Sequence, residues 1–135
     1  MKRIADHADW LSYAEADLEL AVKGKVSKKV KYELLCFHAQ QTVEKSMKAV
    51  LIFLNIQFPK THELDFLLEL MLTNKIDVPK IVFEAVTLSR YAVISRYPGD
   101  EDEIERKEYI QCIKLATVVF KWAKSITAKK SNKLF

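Results

Sequence analysis

Apolar residues recur at intervals of three and four along most of this 135-residue chain and almost nowhere alternate with polar ones. Three prolines and two glycines are the strong punctuation, and they divide the sequence into five segments that keep the helical interval. A first helix is predicted from about Ala8 to Lys23, with Trp10, Ala14, Leu18 and Ala21 on one stripe and Gly24 as its stop. After a lysine-rich loop comes the longest helix, about Val30 to Asn55, with Pro59 just beyond it. Thr61 is placed to cap a third helix that carries Glu63 in its first turn. Leu64, Leu67, Leu68 and Met71 form its stripe, and it ends near Thr73-Asn74.

Asp77 with Pro79 opens a fourth helix, in which Val82, Ala85, Val86, Ser89 and Val93 keep the interval. Ile81-Val82-Phe83 alone has strand composition, but Pro79 in front and the lack of alternation behind favour helix. Asp100 followed by Glu103 resembles a capping box and starts a fifth helix. That helix turns Ile110, Ile113, Ala116, Phe120 and Ala123 inward and ends near Ile126. The pattern predicts one all-α domain over residues 1–135, a five-helix antiparallel up-and-down bundle with a short basic tail from 128 to 135.

Composition narrows this picture. A chain of this length buries roughly two-thirds of the surface that its unfolded form exposes, enough for a core without staples. Its 50% hydrophobic content and scarcity of turn formers disfavour an all-β fold. Charged residues make up 30%, a mild thermophilic trait. Cys36 and Cys112 lie far apart with no zinc-type spacing, and read as buried thiols in a reducing compartment. The charged start excludes a secretory leader, and the longest apolar run, Ala49 to Leu54, is too short to span a bilayer. The expectation is a cytoplasmic protein with no membrane contact.

Charge is more informative in its distribution than in its total of +4. Lys23, Lys25, Lys28, Lys29 and Lys31 form one acid-free stretch, and Lys121, Lys124, Lys129, Lys130 and Lys133 form another. Such patches attract phosphates, although a solvated tail explains the second as well.

The long helix holds the first candidate site. Tyr32, Cys36, Ala39, Val43, Val50 and Leu54 make its core stripe, yet the other side mixes Gln41, Glu44, Lys45 and Lys48 with Leu34, Phe37 and Ile52. A helix apolar on nearly all sides is covered on nearly all sides, and its polar groups then need partners. Either this face is a homodimer interface, or Gln41, Lys45 and Lys48 meet a ligand. A plainer alternative pairs Glu44 with Lys48 as a surface bridge and leaves Lys45 in water. The second candidate is Arg90 to Gly99, where two Arg-Tyr pairs offer planar forks for phosphate and flat faces for a base, or else Arg96 pairs with the acids that follow. The third is His62, which needs a second group to act as an acid or base. Together with His7 and His38 it gives no metal-ligand spacing, so no metal and no cofactor is expected; two glycines leave no room for a phosphate-binding loop or a nucleophile elbow.

Three stretches then point to one family. Cys36-Phe37-His38-Ala39-Gln40-Gln41-Thr42-Val43-Glu44-Lys45-Ser46-Met47-Lys48-Ala49 resembles the signature helix of HEPN proteins. Phe58-Pro59-Lys60-Thr61-His62-Glu63-Leu64 resembles the element that follows it, and Arg96-Tyr97-Pro98 resembles the element before the last helix. The resemblance implies a five-helix bundle that dimerises, often encoded beside a minimal nucleotidyltransferase in a toxin–antitoxin-like pair. Many such proteins are metal-independent ribonucleases with an Arg followed after four to six residues by a His. That spacing is missing: only three residues lie between Arg3 and His7, and no His follows Arg90, Arg96 or Arg106.

The reading that results is a nucleotide- or RNA-binding module, non-catalytic alone, that acts with a nucleotidyltransferase partner. Its contacts would be Gln41, Lys45, Lys48, His62, Arg96 and Tyr97. The alternatives are a metal-independent endoribonuclease toxin using His62, Arg96 and Tyr97, and a dimeric structural scaffold.

Overall fold

Asp6 starts the first helix by a capping box: its carboxylate accepts from the Asp9 N–H at 3.0 Å while the Asp9 carboxylate accepts from the Asp6 N–H at 2.9 Å. A computed structural model describes residues 4–94 and 103–128 of the chain. Helix α1 spans His7–Lys23, and α2, which follows a 3₁₀ turn at Gly24–Val26 and the lysine loop, spans Tyr32–Phe53. Helix α3 covers Leu64–Thr73 and α4 Lys80–Ala85. A 3₁₀ stretch, Val86–Arg90, carries α4 into the short α5, Tyr91–Ile94, and α6 runs over Arg106–Ala128. There is no strand among the described residues, so Ile81–Phe83 is helical and the all-α expectation holds.

Cross-helix pairs give the directions. Ala14 meets Thr42, Asp17 meets His38 and His7 meets Phe53, so α1 is antiparallel to α2, as the short connection predicts. Tyr109 donates to the Ala21 carbonyl at 2.6 Å and stacks on Tyr32 with ring centroids 4.8 Å apart. The free Cys36 thiol, one turn on from Tyr32, faces the free Cys112 thiol in the turn after Tyr109. Helices α2 and α6 therefore run side by side in one direction, because the shorter helical segments between them turn the chain round. The core lies between them, with Ala39, Val43, Met47, Val50, Cys112, Ala116, Val119 and Ala123 closed to solvent.

Several local expectations change. Gly24 does cap the end of α1, but with φ −62° rather than a left-handed turn; a Cβ there would run into the Leu35 side chain, and the glycine serves the close approach of the α1 end to α2. The left-handed ends belong to Asn55 and Lys75, at φ 61° and 59°. The N–H groups of Ile56 and Ile76 reach back to the Leu51 and Met71 carbonyls at 2.8 and 3.0 Å, which closes α2 and α3 as Schellman motifs. Glu63, not Thr61, holds the N-cap position of α3, and the Thr61 hydroxyl accepts from the Glu63 N–H one step earlier. The fourth predicted helix is broken by its 3₁₀ stretch, which leaves Val93 exposed. Ile110 is also exposed, because the α6 stripe is set by Tyr109, Cys112 and Ala116. The fifth helix starts at Arg106 rather than Asp100. Arg96, Tyr97, Asp100 and the tail beyond 128 lie outside the described residues.

Candidate functional site

Helix α2 is buried on nearly every side from Leu35 to Leu51, and α1, α3, α5 and α6 provide the cover. Of the apolar residues that suggested a second copy against α2, Phe37 and Ile52 are half-buried and Leu34 stays exposed. Glu44, Lys45, Lys48 and His38 of α2 are partnered there in two clusters, each containing a carboxylate, a lysine and a histidine.

The buried cluster centres on Glu44, whose side chain is 2% exposed. Lys48, one helical turn later and 5% exposed, donates to Glu44 Oε2 at 3.0 Å. This pair has the predicted spacing but is interior, not a surface bridge. The ammonium lies over the rings of Trp10 and Phe58, 5.2 and 5.7 Å from their centroids, where desolvation strengthens the attraction. His62 closes the cluster from the loop before α3: its Nδ1 is 3.0 Å from Oε2 and 3.2 Å from Oε1 of Glu44. An ionised carboxylate only accepts, so Nδ1 carries the proton and Nε2 is left for solvent or substrate. The second group that His62 lacks in the sequence is Glu44.

The second cluster bridges α1 and α2 at the rim of their contact, with Asp17 buried and Lys45 and His38 partly open to solvent. Asp17 accepts from Lys45 Nζ at 2.6 Å and from His38 Nδ1 at 3.0 Å, and Lys45 lies 5.7 Å from the centre of the Tyr13 ring. Lys45 is therefore paired rather than free in water. Thr42 adds a bond to the Ala14 carbonyl at 3.2 Å. Asp17 was not a sequence candidate, although it sits three residues after Ala14 and four before Ala21, on the buried stripe of α1. That position is the signal that marks it. Gln41 is half-buried on the exposed ridge of α2, whereas its neighbour Gln40 is fully buried with both amide atoms unpartnered, and nothing in the structure explains it.

A third polar group joins α2, α5 and α6. The Tyr91 hydroxyl donates to Glu108, whose carboxylate is 3.9 Å from Arg90, so the first Arg-Tyr pair is tied to α6. A hydrogen bond with Cys112, and then burial, pushes the Cys36 thiol up; burial and then the bond to Glu108 push the Tyr91 phenol up. Both groups stay protonated, which suits packing better than nucleophilic chemistry.

The basic loop remains open. Lys25, Lys28 and Lys31 line a cleft of about 350 Å³ beside Tyr32, with Glu33 and Glu103 on its other wall. Lys25, Lys28, Lys29 and Lys31 are exposed and make no ion pair among the described residues, whereas Lys23 reaches Glu19 at 3.6 Å. No group of three His, Cys, Asp or Glu side chains able to hold a metal occurs among the described residues, and no described helix is long and apolar enough to cross a membrane.

The model of the HEPN domain matches residues 7–126. A crystal structure described as an archaeal HEPN homologue superposes with a TM-score of 0.70 at 29% identity, covering 90% of this chain and 98% of that one. The comparison with curated proteins finds no match. The family match spans the α1–α2 pair, the Glu44–His62 loop contact and most of α6, and the chain belongs to the HEPN domain family.

Proposed function

We propose that the chain is a nucleotide- or RNA-binding HEPN module that is non-catalytic alone, dimerises, and works with a nucleotidyltransferase partner in a toxin–antitoxin-like pair. The observation that carries the binding reading is the lysine loop at the α1–α2 end. Three exposed ammonium groups without ion-pair partners, Lys25, Lys28 and Lys31, border one cleft with Lys29 beside them, and a polyanion that binds there releases its own condensed counterions. Lys45 and Lys48 are neutralised by Asp17 and Glu44, so they act as positioning residues and the loop takes the phosphate contacts. Exposed Phe66, Phe83, Ile110 and Val118 supply apolar surface for a second copy or the partner.

Anisotropy titrations with a labelled RNA oligonucleotide at two salt concentrations test the loop. Wild type should weaken steeply as salt rises, and Lys28→Glu with Lys31→Glu should bind about tenfold or more weakly with a shallower salt slope. Equal binding by both proteins removes the reading.

One observation favours the endoribonuclease reading as the second choice: His62 presents Nε2 outward with Nδ1 held by a buried carboxylate, as a general base is held. Such a base also needs a cation on the phosphate, and Lys48 is committed to Glu44. Purified protein should therefore leave single-stranded and structured RNA intact in EDTA. Cleavage that disappears in His62→Ala would promote the enzyme.

A further inference from the structure

We infer that the outer face of the α1–α2 pair is a track for single-stranded nucleic acid, on which bases stack against Tyr13 and Phe37 while the neighbouring lysine loop holds the phosphates; this rests on the binding reading above. On α1, Tyr13, Asp17 and Leu20 are spaced by four and three residues and share one face. On α2, Leu34, Phe37, Gln41 and Lys45 are spaced by three and four and share another. Asp17 fuses the two faces through its bonds to Lys45 and His38, and Lys45 lies over the Tyr13 ring. The antiparallel register sets the loop of residues 24–31 at the Leu20 and Leu34 end. Basic loop and aromatic face are thus consecutive along the surface, over about 17 Å of α2 at 1.5 Å per residue.

The chemistry selects the occupant. Tyr13 is 66% exposed and lies beside an ammonium rather than inside the core, and the half-buried Phe37 stands edge-on to His38 with ring centroids 5.5 Å apart. Flat rings on a helix surface engage bases only when these are unstacked, which a duplex forbids and a single strand allows. The one carboxylate central to the face, Asp17, is 11% exposed and already accepts from two donors, so its repulsion of a passing phosphate is muted. Gln41, with its donor and acceptor ends, stands between Phe37 and Lys45 where a base edge would be read. Unpaired lysines at the entry favour a polyanion over an apolar partner.

The test uses the full chain and a labelled oligoadenylate RNA, single-stranded or annealed to its complement. Tyr13→Leu and Phe37→Leu keep apolar bulk and remove the rings, and their melting curves report folding separately. The single strand should bind wild type more tightly than the duplex does, each variant should weaken it about tenfold, and the salt slope should stay unchanged. If the ring variants bind as wild type while Lys28→Glu with Lys31→Glu fails, the track is wrong and the lysine reading stands. If the lysine variant also binds as wild type, both fall. If the ring variants instead turn a dimer into a monomer with RNA affinity intact, the face joins two copies and the proposal is overturned.

Discussion

The two carboxylate–lysine–histidine clusters on α2 have the same chemistry and different surroundings. Glu44 and Lys48 are 2% and 5% exposed and roofed by Trp10 and Phe58; Asp17 and Lys45 are 11% and 19% exposed, with Tyr13 beside them in solvent. A buried pair has lost its hydration and depends on its partner, so removing one member strands a charge. A pair near the surface can trade its partner for water at small cost. The comparison therefore assigns the inner cluster to holding α2, α1 and the α2–α3 loop together, and leaves the outer cluster free to serve recognition.

The largest effect should come from Lys48→Ala, which leaves the Glu44 carboxylate buried with His62 alone. The expected loss is about 3–5 kcal/mol, a fall in Tm on the order of 10 °C by circular dichroism. Replacing both partners, Glu44→Leu with Lys48→Met, should restore much of it, since no charge is then stranded. A double variant as unstable as the single one would mean that the aromatic roof rather than the unpaired charge sets the cost.

Lys45→Ala sharpens the contrast at the outer cluster. Asp17 keeps His38 and gains water, so the expected loss is about 1 kcal/mol or less in the same melts. A loss equal to that of Lys48→Ala would erase the distinction between the clusters and return Lys45 to a purely structural role.

How much of this was legible depends on range. The α1, α2 and α3 stripes and the family motifs come from spacings within one element, and there sequence and structure agree from Ala14 to Ala21 and from Leu64 to Met71. Partners across elements were hidden. Asp17 meets Lys45 at a separation of 28 residues and Glu44 meets His62 at 18, distances over which no periodicity speaks. Gly24 marks the end of α1 as expected, but its backbone is right-handed, and what calls for glycine there is Leu35 on the next helix, which no local habit reveals. The 3₁₀ break at Val86–Arg90 was invisible because Ala85, Val86 and Ser89 satisfy an α-helical interval almost as well.

The smallest effect should be that of His62→Ala, and it separates attachment from chemistry. His62 bonds to the same carboxylate as Lys48, but its side chain is 77% exposed, so water replaces both the ring and its hydrogen bond when it is removed. Glu44 keeps Lys48, and no buried charge is stranded. What is lost is one tie between the α2–α3 loop and α2, worth less than about 1 kcal/mol after solvent screening. Melting should barely move, while amide exchange in residues 56–63 should quicken, because Trp10 and Phe58 still pack at 6.3 Å but the loop has lost its polar anchor. A loss approaching that of Lys48→Ala would show that the imidazole is part of the buried cluster rather than its outlet, and the likeness between His38 and His62, each held by a carboxylate at Nδ1, would then fail.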